Sequence, residues 1–240
     1  MGSPARFPFG VTNVAKTDAF GMMGQLSPLT YHTYFNDFDH YVAGDWTITR
    51  VGTTPTEALT DVDGGGLLLT ISAADNDSDF LQKKGESFLL ASGKKMFFAA
   101  RFKVSDATES DWIIGLQITD TTPLAAAGDG ATDGIFFQKD DGDTNIDFYV
   151  QKDATTGQLT STAVTTAAAA DTFMTLSFYF DGARYVEVFK DGAEVAQVDL
   201  TTTLATYLPD TELTVSFGLQ NGEAVAKTMT LDYIFVAQER

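Results

Sequence analysis

The sequence predicts an all-β fold: a two-sheet antiparallel jelly-roll sandwich over residues 31–240, preceded by an extended N-terminal arm over residues 1–30. Three observations carry this. Beyond Tyr31, apolar and polar residues alternate in run after run, the period of a strand with one buried face. Asp-Gly pairs punctuate the runs, and such pairs supply the positive φ angles of tight hairpin turns. Helical periodicity is scarce: the alanine run Ala167 to Ala170 sits among threonines and reads as a loop entering a strand. Ten or more strands without intervening helices bury their apolar faces by packing two sheets together. No repeat of solenoid or propeller length is present.

The elements follow in chain order. The arm, MGSPARFPFGVTNVAKTDAFGMMGQLSPLT, carries Pro4, Pro8 and Pro28 and four glycines without sustained alternation, so it is expected to be extended. Leu67, Leu69 and Ile71 then share a face, as do Phe98, Ala100, Phe102 and Val104. Trp112, Ile114, Leu116 and Ile118 fall on one side of the next run, and Ile146, Phe148 and Val150 on one side of another. Met174, Leu176, Phe178 and Phe180 follow, then Leu213, Val215, Phe217 and Leu219, and finally Met229, Leu231, Tyr233 and Phe235. Asp141-Gly142, Asp181-Gly182 and Asp191-Gly192 supply the turns.

Composition narrows function before any motif does. With 44% apolar residues, among them 19 Phe, the 240-residue chain has the material for a folded core. Length alone allows one or two domains, since all-β sandwiches reach ~200–250 residues as one. A net charge of −18 and a pI near 4.2 oppose a nucleic-acid partner, which needs clustered Lys and Arg, and equally oppose an anionic membrane surface. The absence of cysteine removes thiol catalysis, Cys-ligated zinc and disulfides. No stretch reaches the roughly 18 apolar residues of a spanning helix, and the start MGSPARFPFG lacks a secretory profile. Arg6 stands where a myristoylation signal has Ser or Thr. The chain is therefore expected to be soluble and unprocessed. In the arm, Arg6 and Lys16 outnumber Asp18, so the negative charge sits on residues 31–240.

The segments KKMFFAARFKVSDATESDWIIGLQITD, DGIFFQKDDGDTNIDFYVQKD and DTFMTLSFYFDGARYVEVFKDGAEV, with the closing LDYIFV, resemble the concanavalin A-like, laminin-G-like sandwich superfamily from about Phe35 to Val236. That resemblance implies a fold and no activity. The whole chain also resembles the capsid decoration, or cement, proteins of tailed bacteriophages, through RFPFGVTNVA, MGQLSPLTYHTYFNDFDHY, FKVSDATESDWIIGLQITDTTPL and LTVSFGLQNGEAVAKTMTLDYIFVAQER. It implies a structural virion protein that is not an enzyme. Such a protein is made in the host cytoplasm and stabilises the outer capsid surface by binding the major capsid protein, commonly as a homotrimer. The alternative expectation is a lectin-like module that binds host-surface glycans.

Candidate functional residues follow from both readings. The apolar arm residues Phe7, Phe9, Val11, Phe20, Met22, Met23 and Leu26 are the expected capsid contacts, by strand addition or by insertion between subunits. For a glycan, Trp46, Trp112, Tyr149, Tyr179 and Tyr185 are the stacking candidates. Trp112 shares parity with Ile114 and Leu116 and belongs in the core, whereas Tyr149 and Tyr179 alternate with apolar neighbours and are expected to face a glycan. Sandwich glucanases carry a Glu-x-Asp-x-x-Glu motif; the strands around Asp147 and Glu187 both lack its second glutamate. His32 and His40 flank YFNDFD without a Gly-x-Ser-x-Gly elbow, so they are expected to be structural or solvent-facing. No cofactor is expected, and calcium is the one metal to weigh. Asp75, Asp77 and Asp79 alternate, as do Asp141, Asp143, Asn145 and Asp147, but Ile146 and Lys152 occupy the positions where an EF-hand needs Gly and Glu.

Overall fold

The computed structural model describes residues 26–240 except 53–54, 123, 125–129, 144, 154–158, 166–167 and 201–203, and gives residues 159–165 as backbone alone. The alternating runs become strands: β1 (Tyr31–Asn36), β2 (Trp46–Val51), β3 (Thr56–Leu59), β4 (Leu67–Thr70) and β5 (Ser78–Lys83) come first. Then follow β6 (Met96–Val104), β7 (Ser110–Gln117), β8 (Gly134–Lys139), β9 (Ile146–Gln151) and β10 (Leu159–Thr165). The last are β11 (Met174–Phe180), β12 (Tyr185–Lys190), β13 (Ala193–Asp199), β14 (Thr214–Asn221) and β15 (Thr228–Glu239). Among the described residues the helical pieces are a 3-10 turn at Ala43–Asp45 and one turn, α1 (Leu204–Tyr207).

The strands form two antiparallel sheets, as the pattern predicts. One has eight strands in the order β13-β12-β11-β6-β15-β4-β3, with β1 also on β15; the other has seven, β10-β9-β8-β7-β14-β5-β2. The 12-residue β15 spans two neighbours on one edge, pairing β4 through Thr228–Leu231 and β1 through Ile234–Glu239. Between β12 and β13, Asp191 (φ 51°) and Gly192 (φ 79°) form the two-residue turn with both φ angles positive that the Asp-Gly pair predicts.

The core lies between the sheets and takes the faces the alternation assigns, except at the end of β15: a bulge between Leu231 and Tyr233 brings Ile234 and Val236 inward after Met229 and Leu231 and turns Tyr233 and Phe235, expected on that same face, outward. Phe98 and Phe178 stack in the eight-stranded sheet with centroids 5.3 Å apart, and Phe178 reaches Phe148 (5.5 Å) across the interface. Trp112 is buried in the core as expected, its ring edge-on to Phe102 at 5.0 Å. Rings offset or edge-to-face in this way add to the burial of their area.

At the side of the sandwich, a polar cluster joins the end strands of the two sheets. Arg50 of β2 bonds Glu57 of β3 and, through Nε at 3.3 Å, Asp79 of β5. Asp79 is fully buried, and among the described residues neither its Oδ2 nor the buried Tyr41 hydroxyl has a hydrogen-bond partner. Burial, then a hydrogen bond to Glu57, push the Asp79 carboxyl up to about 8. Asp75, Asp77 and Asp79 therefore do not converge as cation ligands: Asp79 turns inward to Arg50, Asp77 accepts from Ser72, and Asp75 is exposed.

Of the arm, Phe7, Phe9, Val11, Phe20, Met22 and Met23 lie outside the described residues. Leu26 is described, and it packs beside Tyr31, Phe97, Tyr179 and Phe189 on the outer face of the eight-stranded sheet. The chain end holds this exit in place: Arg240 donates through its backbone N–H to Thr30 O (2.9 Å) and through Nε to Pro28 O (3.0 Å).

Candidate functional site

Two places carry the residue types that recognise polar ligands. The first is the outer face of the seven-stranded sheet. Register places Thr47, Gln82, Ser216, Gly115, Phe136 and Tyr149 in one row across it, and Gln117, Gly134 and Gln151 in the next. Described residues of the segment between β7 and β8, Ile118, Asp120, Leu124 and Ala131, lie against this face. Gln82 Nε2 donates to Ile118 O (2.8 Å), Asp120 N–H donates to Gln82 Oε1 (2.8 Å), and Ala131 N–H donates to Gln117 Oε1 (3.0 Å). Leu124 packs with Phe80, Ile113, Phe136 and Tyr149 beneath it.

That cover corrects the expectation for both tyrosines. Tyr149 is 9% exposed, stacked on Phe136 at 5.3 Å, and Tyr179 is 6% exposed within the Leu26 cluster. Period-two parity assigned them correctly to outer faces. It carries no information on whether a loop or an arm then covers a face, and neither ring is open to a glycan. At the far end of the same sheet Asp147 of β9 lies opposite Gln138 of β8, whose partner on β7 is Ile113, and Asp111 lies two residues further along β7 on the same face. Burial raises Asp111 to about 6, partly offset by the N–H of Asp141. These carboxylates come from different strands, so a motif search along one strand misses them.

The second place is open. A cleft of about 270 Å³ lies beside β1, lined by Tyr34, Phe35, Asn36, Asp37, Asp39, His40, Asp45, Trp46 and Lys83 among others. Phe35 is 60% exposed at its mouth, because its parity on β1 points it to the outer face of the sheet while Tyr34 and Asn36 point inward. The segment after β1 is fixed by its own chemistry. Phe38 N–H donates to Asn36 Oδ1 (3.0 Å), and Phe38 adopts a left-handed φ of 53° while its ring packs on Trp46 and Phe217. Such a conformation costs of order 1 kcal/mol for an aromatic residue and persists where its surroundings enforce it. Gly65 (φ 117°) lies against this turn so closely that a Cβ would sit 2.7 Å from Asp37 O and from Asp39 N. The result is an anchored rim that holds Asp37 half-exposed and Asp39, His40 and Asp45 exposed. Burial raises the Tyr34 hydroxyl, offset in part by Asn36, whose amide donates to it (3.3 Å), and Asp45 adds to the rise.

Chemically, the cleft offers carboxylate acceptors, an amide that both donates and accepts, an imidazole, an ammonium and an exposed ring. That set matches the alternating hydroxyls and C–H faces of a sugar. His40 faces solvent as expected, but it lines this cleft. The sequence signal for the site was the break in alternation from Asn36 to Asp45, a polar stretch between two strands. Among the described residues no three acidic or histidine side chains converge as a metal site.

No family model matches the sequence, and no curated protein does. Solved structures do. The endo-1,3-β-glucanase of Streptomyces sioyaensis superposes with a TM-score of 0.62 at 13% identity, covering 90% of this chain and 99% of its own. The carbohydrate recognition domain of Emp46p, in a potassium-bound form, gives 0.56 at 10%, covering 84% and 94%. The Crh5 transglycosylase in complex with NAG gives 0.56 at 19%, covering 85% and 83%. At these identities the likeness shows the fold: a concanavalin A-like jelly-roll sandwich of the lectin and glucanase type. The expectation that the chain is not an enzyme is corrected here. A glucanase and a transglycosylase share its architecture, so a missing Glu-x-Asp-x-x-Glu motif is no ground for excluding catalysis on it.

Proposed function

We propose that the chain is a carbohydrate-binding sandwich whose glycan lies in the cleft beside β1. The observation that supports this most is the exposed Phe35 ring beside a rim of polar side chains anchored by Phe38 and Gly65. The fold neighbours, a glucanase and a carbohydrate recognition domain, favour the same reading. Phe35 is largely exposed, so replacing it leaves the core intact. In titrations against a panel of oligosaccharides, Phe35→Ala is expected to weaken binding by about tenfold, the loss of about 1.4 kcal/mol. Unchanged affinity in a folded Phe35→Ala protein contradicts this placement. The same titrations are followed for released product. If turnover appears, Asp39 and Asp45, the exposed carboxylates that line the cleft, are the first to replace.

A second reading is favoured by the way the arm leaves the body. Its described end is seated on an aromatic cluster and tied to Arg240, so residues 1–25 depart from a fixed point on a strongly acidic sandwich. This suits attachment to a phage capsid, with the major capsid protein as partner, a homotrimeric assembly and a place on the outer surface of the virion. Many weak copies on a lattice add to firm attachment. Deleting residues 2–25 is expected to leave the melting temperature nearly unchanged and to abolish co-sedimentation with capsids. Full co-sedimentation of the shortened protein overturns this reading.

A further inference from the structure

The cleft beside β1 does not end at Lys83. A second opening of about 270 Å³ adjoins it, sharing Tyr34 and Lys83 and bounded by His32, Lys84, Glu86 and Phe88 among others. Two neighbouring openings that share side chains suit a ligand of more than one sugar. Their chemistry differs. Asp37, Asp39 and Asp45 line the first opening, whereas the second has two lysines against one glutamate.

Two of those three charges are already engaged. Lys84 Nζ donates to Gly44 O (2.8 Å), and Glu86 Oε1 accepts from Thr119 N–H (2.6 Å). Lys83 is half-exposed at the end of β5; its backbone carbonyl accepts from Thr214 Oγ1 (2.6 Å), but its ammonium has no hydrogen bond or ion pair among the described residues. Lys84, Lys94, Lys95 and Lys103 likewise make no ion pair among the described residues, and Lys83 differs from them in lining both openings. Opposite it, the His32 ring lies against Phe88 at 4.8 Å, and burial followed by Arg240 lowers its pKa, so this wall is an uncharged, flat surface near neutral pH.

Resting on the carbohydrate reading, we propose that the two openings together take an acidic oligosaccharide, with an anionic group, a uronate carboxylate or a sulfate ester, against Lys83 Nζ. The neighbouring Asp45 and Glu86 restrict that group to the immediate reach of Lys83, since an anion placed toward either is repelled. A charge-assisted hydrogen bond of this kind is worth about tenfold or more in affinity.

The experiment is calorimetric titration of the full chain with three tetrasaccharides: a neutral β-glucan, a glucuronate-containing oligomer and a sulfated glucan. The acidic ligands are expected to bind about tenfold more tightly than the neutral one, with the difference shrinking as salt rises. The tighter of the two identifies the anionic group. Lys83→Met and Lys83→Gln, both checked for an unchanged melting temperature, are expected to weaken the acidic ligands about tenfold more than the neutral one, which erases the preference. Equal affinity for all three ligands, or a preference that survives both substitutions, overturns the assignment of Lys83 and leaves the carbohydrate reading standing. Failure of every oligosaccharide to bind overturns both.

Discussion

Replacing Phe178 by alanine is expected to lower the stability of the protein by about 3–5 kcal/mol, the usual cost of deleting a fully buried phenylalanine and leaving its cavity. Phe178 is one of the rings through which the two sheets hold each other. From β11 it stacks on Phe98 of its own sheet (5.3 Å between centroids, 11° between planes) and reaches Phe148 (5.5 Å) and Phe137 (6.4 Å) of the other. It has no exposed surface, so nothing of the loss is recovered from solvent. In a chain of this size each kcal/mol moves the melting temperature by roughly 2–4 °C. Thermal and guanidinium denaturation are therefore expected to show a fall of roughly 6–20 °C. Phe178→Leu, which keeps most of the volume, should lose less than half as much. A loss under about 1 kcal/mol for the alanine variant means that the sheets do not pack through this residue.

The second large effect is on pH. Asp79 has an ordinary carboxyl value of 3.8, and burial together with Glu57 raises it to about 8 in the folded chain. The unfolded chain therefore gives up the Asp79 proton at a pH where the folded chain keeps it. With fewer protons bound to the unfolded state, stability falls as pH rises from about 4 to about 8, then levels off. The loss over that window is on the order of a few kcal/mol. Asp79→Asn keeps the shape and an N–H donor toward Glu57 but has no proton to lose. Its stability is expected to vary much less between pH 5 and pH 8, and to exceed that of wild type at the upper end. Parallel pH profiles for the two proteins contradict a protonated Asp79, and then the general self-repulsion of the −18 charge is the source of any slope.

What the sequence made legible follows from what is local. The inward faces of Phe98, Trp112, Phe148, Phe178 and Phe217 follow from period two alone, and the Asp191-Gly192 turn from backbone sterics. Long-range partners are not local. By spacing, Asp79 belonged with Asp75 and Asp77 as a row of oxygens, but β5 turns Phe80 and Gln82 outward and Asp79 inward, to an Arg50 that lies 29 residues earlier. Tyr149 and Tyr179 failed as glycan contacts for a related reason. Their faces were right, but their exposure depended on Leu124 and Leu26, which are brought over them from other parts of the chain. The cleft was visible only as a gap in the alternation. Phe35 and Asp39 become neighbours of Trp46 and Lys83 because β1 joins one sheet, β2 and β5 join the other, and Gly65 presses the turn between them into place.

The most direct test of the carbohydrate reading is to locate a bound oligosaccharide by amide chemical-shift changes on the isotope-labelled full chain. The expected result is a contiguous set of shifts along Tyr34–Trp46 and around Lys83, saturating with ligand and lost in Phe35→Ala. Shifts confined to the β7–β8 loop and to Phe136 and Tyr149, or no saturable shift with any oligosaccharide, contradict it.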